Sequence, residues 1–302
     1  MKKTTAILLL LLLALGARAQ TLPLLYNPTD PRSMAMGGAG VALDATAWAA
    51  DANLAATALS AQTFAAGFAY DYWAPTPLPD QRVALGGWYR SGALAFGLSG
   101  RGSFARPTEG AGPAGEPLAG FAPYDLALAL GAAWMAVPGL AFSATARIVS
   151  STLAESLTGT AFCADIALQY AYGPVRAGIA ATNLGGSIRF GEETAPMPAL
   201  VRGGATYSTL WVDATAELSY LAQAGLMATA GLEARPLEQA GQPRSWLTLR
   251  AAYHYGPADR GLPSFGSAGI GLFFSGLSID LAVLFASPTL GGSVCGGLSY
   301  SF

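Results

Sequence analysis

Beyond its first nineteen residues the chain contains no lysine, since only Lys2 and Lys3 occur. What remains is 13 arginines against 18 acidic residues, a net charge of −5. That balance excludes a basic footprint, so no nucleic-acid partner is expected. Histidine is nearly absent too. His254 stands alone, and a single imidazole with no His or Cys neighbour is a poor metal site. The two cysteines, Cys163 and Cys295, make neither a disulfide framework nor a zinc spacing. No G-x-S-x-G element of a hydrolase is present. The run Gly37-Gly38-Ala39-Gly40 lacks the Lys-Ser/Thr of a phosphate loop, and as a dinucleotide fingerprint it lacks the third glycine. A tight backbone turn is the better reading of it. No enzyme activity, cofactor or metal is expected from these absences.

Charge of either sign is scarce. Asp, Glu, Lys and Arg make up 11% of the chain, whereas ~25% is ordinary for a soluble domain. Apolar residues reach 52%. Yet after the first residues no apolar run is long enough for a membrane helix. Instead the apolar residues are dispersed among 38 glycines. A barrel whose strands show lipid only every second side chain has this profile.

The chain begins like a secretory leader. Lys2 and Lys3 precede the ten-residue apolar run Ala6–Leu15, and Ala17-Arg18-Ala19 is an A-x-A cleavage site with Gln20 as the first mature residue. No cysteine follows the cleavage point, which argues against a lipid anchor. Residues 1–19 are therefore assigned to the leader, 20–60 to an N-terminal luminal or plug segment, and 61–302 to the barrel. Leu298-Ser299-Tyr300-Ser301-Phe302 alternates and ends on an aromatic. A terminal Phe302 closing an alternating strand resembles the signal by which the barrel-assembly machinery recognises its clients.

Alternation with a period of two recurs along the mature chain. In 124–136, Leu126, Leu128, Leu130, Ala132 and Trp134 oppose Asp125, Ala127, Ala129 and Gly131. In 277–285, Leu277, Ile279, Leu281, Val283 and Phe285 oppose Ser278, Asp280 and Ala282. Segments of the same kind lie at 62–73, 81–90, 92–105, 139–152, 160–172, 174–183, 198–207, 210–221, 225–235, 245–255, 265–274 and 293–302. The expectation is an all-β transmembrane antiparallel barrel of about 14 strands in the bacterial outer membrane, embedded in its lipid. Tight turns at 91–92, 138–139, 173–174, 208–209 and 275–276 alternate with longer links at 74–80, 106–123, 152–159, 184–197, 256–264 and 286–292. An even count puts both termini in the periplasm. Two links break the rule: the one near 222–225 is short where a long one is expected, and the one near 236–244 is long. Aromatics near strand ends, among them Trp73, Trp88, Trp134, Trp211, Trp246 and Tyr300, fit a girdle at the lipid–water boundary.

Residues 21–60 do not read as a spanning strand. Pro28, Pro31 and the glycine run interrupt regular structure, and Thr46 to Ser60 is Ala-rich and helix-compatible. The stretch Asp30-Pro31-Arg32-Ser33-Met34-Ala35-Met36-Gly37-Gly38-Ala39-Gly40-Val41-Ala42 resembles the opening of the PorV/PorQ family of outer-membrane proteins, with Arg32, Ser33, Met36, Gly37, Gly38 and Gly40 carrying the motif. That resemblance implies a fourteen-stranded barrel related to FadL-type transporters. It also implies a place in type IX protein secretion or surface attachment, with secreted proteins or other secretion-system subunits as partners. The chain departs from the family pattern downstream, where Asn53-Leu54-Ala55 stands in place of Asn-Pro-Ala.

Inward positions carry both signs of charge: Asp125, Arg147, Asp165, Arg176, Arg202, Asp213, Glu217, Glu233, Arg250 and Asp280, together with His254. They are candidate lumen-lining residues. Either they form a polar pathway or a bed for the plug, or they simply pair to avoid isolated burial. Cys163 and Cys295 fall on the sixth and fourteenth strands, across the barrel and beyond the ~7 Å reach of a disulfide, so two free thiols are predicted. Two functions stay open: protein binding through loops 106–123 and 184–197, or transport of a hydrophobic molecule with residues 21–60 as a gate. A structural barrel without substrate is the third.

Overall fold

The computed structural model describes residues 22–28, 30–73, 79–111, 117–154, 157–238, 246–286 and 292–302. The leader call, with Ala19 and Gln20, lies outside them. Strands β1 (Phe64–Trp73), β2 (Asp80–Ser91), β3 (Leu94–Ala105), β4 (Thr108–Ala111), β5 (Pro117–Phe121), β6 (Tyr124–Val137), β7 (Leu140–Ala154), β8 (Leu157–Tyr172) and β9 (Val175–Leu184) lead into the second half. There follow β10 (Ser187–Phe190), β11 (Glu193–Pro196), β12 (Leu200–Ser208), β13 (Val212–Leu221), β14 (Gly225–Ala234), β15 (Leu247–Tyr255), β16 (Phe265–Phe274), β17 (Leu277–Phe285) and β18 (Gly292–Ser301). Fourteen of these form one closed antiparallel barrel, while β4–β5 and β10–β11 are separate two-stranded hairpins. Closure runs between β1 and β18, with Ala65 opposite Ser301 and Trp73 opposite Ser293.

The period-two pattern dictates which way each side chain points. On β6, Leu128 and Leu130 are 63% and 67% exposed, while Ala127 and Ala129, which alternate with them, are buried. On β8, Phe162 and Ile166 face out, and Cys163 and Asp165 face in. Sliding any strand by one residue would turn its leucines inward and its carboxylates into lipid, so the register is strongly specified. An exterior of Leu, Ile, Phe, Tyr and Trp around a sheet with no free edge is what a hydrocarbon solvent requires. Among the described residues no helix is long and apolar enough to cross a membrane. The chain is a β-barrel of the bacterial outer membrane.

Tight turns and the C-terminal end of β18 share one rim; the longer links share the other, except that β7 and β8 stay paired through Thr152–Thr158 and Ala154–Leu157, so the long link expected at 152–159 is strand instead. The two irregular links keep their places. Three residues join β13 to β14 at the long-loop rim, and the longer link after Ala234 lies at the short-turn rim. The stretches 106–123 and 184–197, read as loops, carry hairpins instead. Of these, β10–β11 turns inward: Ile188 and Phe190 are buried with Leu24, Leu25, Val149 and Ala161. The aromatic girdle also needs correction. Tyr89, Trp134, Tyr172, Trp211, Trp246 and Tyr300 face outward near the short-turn rim. Trp88, by contrast, is only 3% exposed and points into the lumen. Trp73 also turns inward and stacks over the Arg82 guanidinium at 4.8 Å.

Residues 22–60 occupy the lumen. Short helical turns at Pro31–Ala35, Ala49–Ala52 and Ala55–Ala58 pack against the inner wall. Inward positions of β1, β2, β3, β6 and β7 are Ala65, Ala69, Ala84, Ala95, Ala133 and Ala141, which cluster with Trp48, Leu54 and Ala55. Small wall residues leave room for a protein segment. This part of the lumen is therefore apolar, where a water-filled barrel would be polar. Cys163 and Cys295 are both buried and unbridged.

The outward register is testable. Leu130→Arg puts a charge on the lipid face at mid-span of β6 and should cost about 2–4 kcal/mol, measured as a lower denaturant midpoint in liposomes. An unchanged midpoint would place Leu130 away from lipid.

Candidate functional site

The site is built where the inner segment meets the wall. Asp30 caps the helical turn Pro31–Ala35, its carboxylate accepting the Ser33 N–H at 3.0 Å, with Pro31 in the first position. Burial pushes the Asp30 carboxyl above the usual range, against the opposing pull of the Ser33 hydrogen bonds. Beyond Met36 the turn ends on two glycines of positive φ, Gly37 at 69° and Gly38 at 87°. The Gly38 N–H bonds to the Ser33 carbonyl at 2.8 Å and the Gly37 N–H to the Met34 carbonyl at 3.1 Å. This is the Schellman pattern, whose left-handed residue favours glycine. Met34 and Met36 are fully buried.

Polar side chains of the wall hold this half. Arg32 forks onto Glu233, with Nε at 2.8 Å and Nη2 at 3.0 Å from the two carboxylate oxygens. Arg250 donates to the same carboxylate at 2.7 Å and to Asp280 at 2.6 Å. Arg235 bridges Asp213 at 2.8 and 2.9 Å. One turn of chain later, Glu217 accepts the Gly40 and Val41 N–H groups at 2.9 and 3.0 Å, and Arg202 donates to it at 2.6 Å. Arg202 also reaches the Gly38 carbonyl. Gly178 on β9 faces the Val41 carbonyl so closely that any Cβ there would overlap it, so only glycine fits.

The second half, residues 43–58, is held on the opposite side. Asp51 accepts from Arg147 at 2.9 Å and Ser99 at 2.9 Å, and lies 3.4 Å from Arg101. Burial alone pushes its carboxyl up, but Arg101 and Arg147 outweigh that and keep it below the usual carboxylate range. Arg147 continues to Asp165 at 2.8 Å, and Asp165 accepts the Asn183 N–H at the bulge where β8–β9 pairing shifts. Asn53 donates to the Val41 and Leu168 carbonyls at 2.7 and 3.2 Å, and Gln169 to the Leu43 carbonyl at 3.0 Å. Trp88 donates its indole N–H to the Thr46 carbonyl at 2.9 Å.

The candidate lumen residues thus fall into separate groups. Glu233, Arg250, Asp280 and Asp213 gather around Arg32 and Arg235; Arg202 and Glu217 meet Gly38–Val41; Arg147 and Asp165 meet Asp51. His254 bonds through Nδ1 to Thr229 at 2.9 Å and stacks on Phe265. Arg176 pairs with Asp44 at the short-turn mouth, where both are partly exposed. Asp125 lies apart, on the inner face of β6 near the long-loop rim, half-buried. Sequence reasoning passed over Asp51, Asn53, Arg101, Arg235 and Gln169. Arg101 and Gln169 were legible by alternation on their strands, whereas Asp51 and Asn53 sit where no period applies.

Two cavities flank this layer. One, at the long-loop rim, encloses about 200 Å³, with Met34, Leu200, Met227, Leu262, Phe265 and Leu284 as its apolar part. The other, about 650 Å³, opens at the short-turn rim and is lined by Arg32, Asp44, Asp213, Arg235 and several serines. Between them runs the segment Arg32–Asp44. Phe302 stacks on Phe64 at 5.2 Å beside the closing seam, and its carbonyl accepts the Thr63 N–H at 2.6 Å.

No family model matches the sequence, and no curated protein matches it. Solved structures do resemble it. The Ralstonia pickettii toluene transporter TbuX superposes with a TM-score of 0.68 at 15% identity, over 91% of this chain and 98% of that one. The Pseudomonas putida toluene transporter TodX gives 0.68 at 14% identity, over 92% and 98%. A Pseudomonas aeruginosa FadL homologue gives 0.55 at 12% identity, over 91% and 96%.

The Glu217 contact can be checked directly. Glu217→Gln removes the charge that Arg202 and two backbone N–H groups share, a local cost of about 1.5–3 kcal/mol. Amide exchange at Gly40 and Val41 should speed up by roughly 10- to 100-fold, while amides of β6 and β7 stay protected. Unchanged exchange at these two amides would remove Glu217 as an anchor. In fold the chain is a fourteen-stranded barrel of the FadL type, with its N-terminal segment inside the lumen.

Proposed function

We propose that the chain passes a small hydrophobic molecule across the outer membrane, with residues 22–60 as the gate. The observation that carries this reading is the largely apolar cavity of about 200 Å³ at the long-loop rim, whose lining shares the Arg32–Asp44 segment with the open polar mouth. A dry apolar cavity of roughly 150 Å³ is enough to hold benzene, so the cavity suits one substituted ring. The likeness in fold to toluene transporters supports the same reading.

The gate segment is tied by hydrogen bonds and ion pairs where it borders both cavities. Such contacts can be exchanged for water when the segment shifts, whereas a packed apolar face gains nothing from water in return. A passage along β12–β15 therefore opens by releasing polar contacts, with the wall left intact.

A second reading is a protein-secretion or surface-attachment component of the PorV/PorQ type. It draws on the resemblance at Asp30–Ala42 and on the hairpin-bearing loops. A partner protein co-purifying from solubilised outer membranes, with no effect of the chain on uptake, would favour it.

Uptake decides between them. Cells expressing the chain should take up labelled toluene faster than cells with an empty vector. Met227→Trp, which fills the cavity, should return uptake to the background rate while the barrel stays folded. Equal uptake with and without the chain would defeat the transport reading.

A further inference from the structure

Buried arginines of the wall each hold more than one acceptor. Arg147 donates to Asp51 and Asp165, and Arg250 to Glu233 and Asp280. Arg202 holds Glu217 and the Gly38 carbonyl. Arg101 lies against Asp51 and donates to the Leu25 and Asn27 carbonyls. The reason is the group itself: a guanidinium carries more N–H donors than one carboxylate accepts, and a buried donor left over is costly.

Arg82 departs from this pattern. It is 4% exposed on β2 and forms its ion pair with Asp71, directly opposite on β1. That contact runs through Nη2, and Nε and Nη1 have no hydrogen-bond partner among the described residues. Asp71 also accepts from the Ser293 hydroxyl. The Trp73 ring covers one face of the guanidinium, which leaves its in-plane donors unmatched. Arg82, Trp73, Ser293 and Leu284 stand on the neighbouring strands β2, β1, β18 and β17, and all four border the long-loop cavity. The unmatched arginine and the cavity therefore meet at one corner.

The chemistry of that corner separates ligands. A hydrocarbon fills the space and leaves Nε and Nη1 as they are. An ammonium meets a cation. An oxygen acceptor completes Arg82 as a second carboxylate completes Arg147 and Arg250, or as a carbonyl completes Arg202.

We propose that the cavity selects small hydrophobic molecules bearing a carboxylate or carbonyl oxygen, which accepts from Arg82 while the apolar body lies against Leu284 and Phe265. This rests on the transport reading of the same cavity. It assigns Arg82 as the residue that sets specificity, and it makes the chain a different filter from a channel for hydrocarbons.

Benzoate, acetophenone and toluene share one ring and test it by calorimetric titration of the full barrel in detergent. At least one of the two oxygen-bearing probes should bind about tenfold tighter than toluene. Benzoate alone assigns a carboxylate, acetophenone alone a neutral carbonyl, and both assign any acceptor oxygen. Asp71→Asn keeps the Arg82 donors and should keep the preference. Asp71→Asn combined with Arg82→Met leaves neither charge unpaired, and should lose the preference while toluene still binds. Toluene binding as tightly as both other probes, or a preference that survives the double substitution, overturns the inference and leaves the transport reading in place. No binding of any probe overturns both.

Discussion

Everything in this barrel depends on one constraint: in hydrocarbon, no backbone N–H or C=O can be left unpaired. Closing β1 onto β18 satisfies the last sheet edge. Closure then forces the rest. Each strand must present one face to lipid and one to the lumen, so leucine and phenylalanine alternate with alanine, glycine and charged residues. Fourteen strands enclose more space than their own inward side chains fill, and the chain supplies the missing contents from its N-terminal segment. The alanines on β1–β3 and β6–β7 are small because Trp48 and Leu54 need the volume.

The buried charges follow from that choice. Bringing a protein segment into the lumen buries carboxylates and guanidinium groups that would otherwise be solvated. Each then needs a partner, and the partners come from the wall: Glu233 for Arg32, Arg101 and Arg147 for Asp51. Buried ion pairs add little net stability over well-packed apolar groups, but breaking one side is expensive. Their effect here is positional. Glu217 fits only a backbone that offers two adjacent N–H groups, which fixes Gly40 and Val41 at one height in the lumen.

How far this was legible in the sequence follows from which features have a period. Strands have one, and 265–274 and 277–285 read from alternation match β16 and β17. Inward charges inherit the same period, which is why Arg147, Asp165 and Glu233 could be placed on the inner face. Hairpins β4–β5 and β10–β11 have four or five residues per strand, too few for alternation to register above chance. Trp88 was misread as a girdle residue because proximity to a strand end says nothing of face; its parity with Ala84 would have turned it inward. Asp51 lies on a short helical turn and Asn53 on the extended residue after it, and only the tertiary packing sets their orientation. The motif Arg32–Gly40 was visible as unusual, yet its partners on the wall lie more than 160 residues away and left no trace beside it.

The two halves of the inner segment are held by different physics, and that difference bears on how a gate of this kind works. Residues 47–58 add to the Asp51 ion pairs a face of Trp48, Leu54 and a row of alanines against an alanine wall, so moving them also exposes apolar surface. Residues 32–44 keep Met34 and Met36 buried but meet β12–β15 mainly through Arg32, the Gly38 carbonyl and the Gly40 and Val41 N–H groups. The Schellman turn at Gly37–Gly38 lies between those contacts and borders the long-loop cavity. Under the proposed transport role, the first half is the part that yields and the second is its fixed abutment.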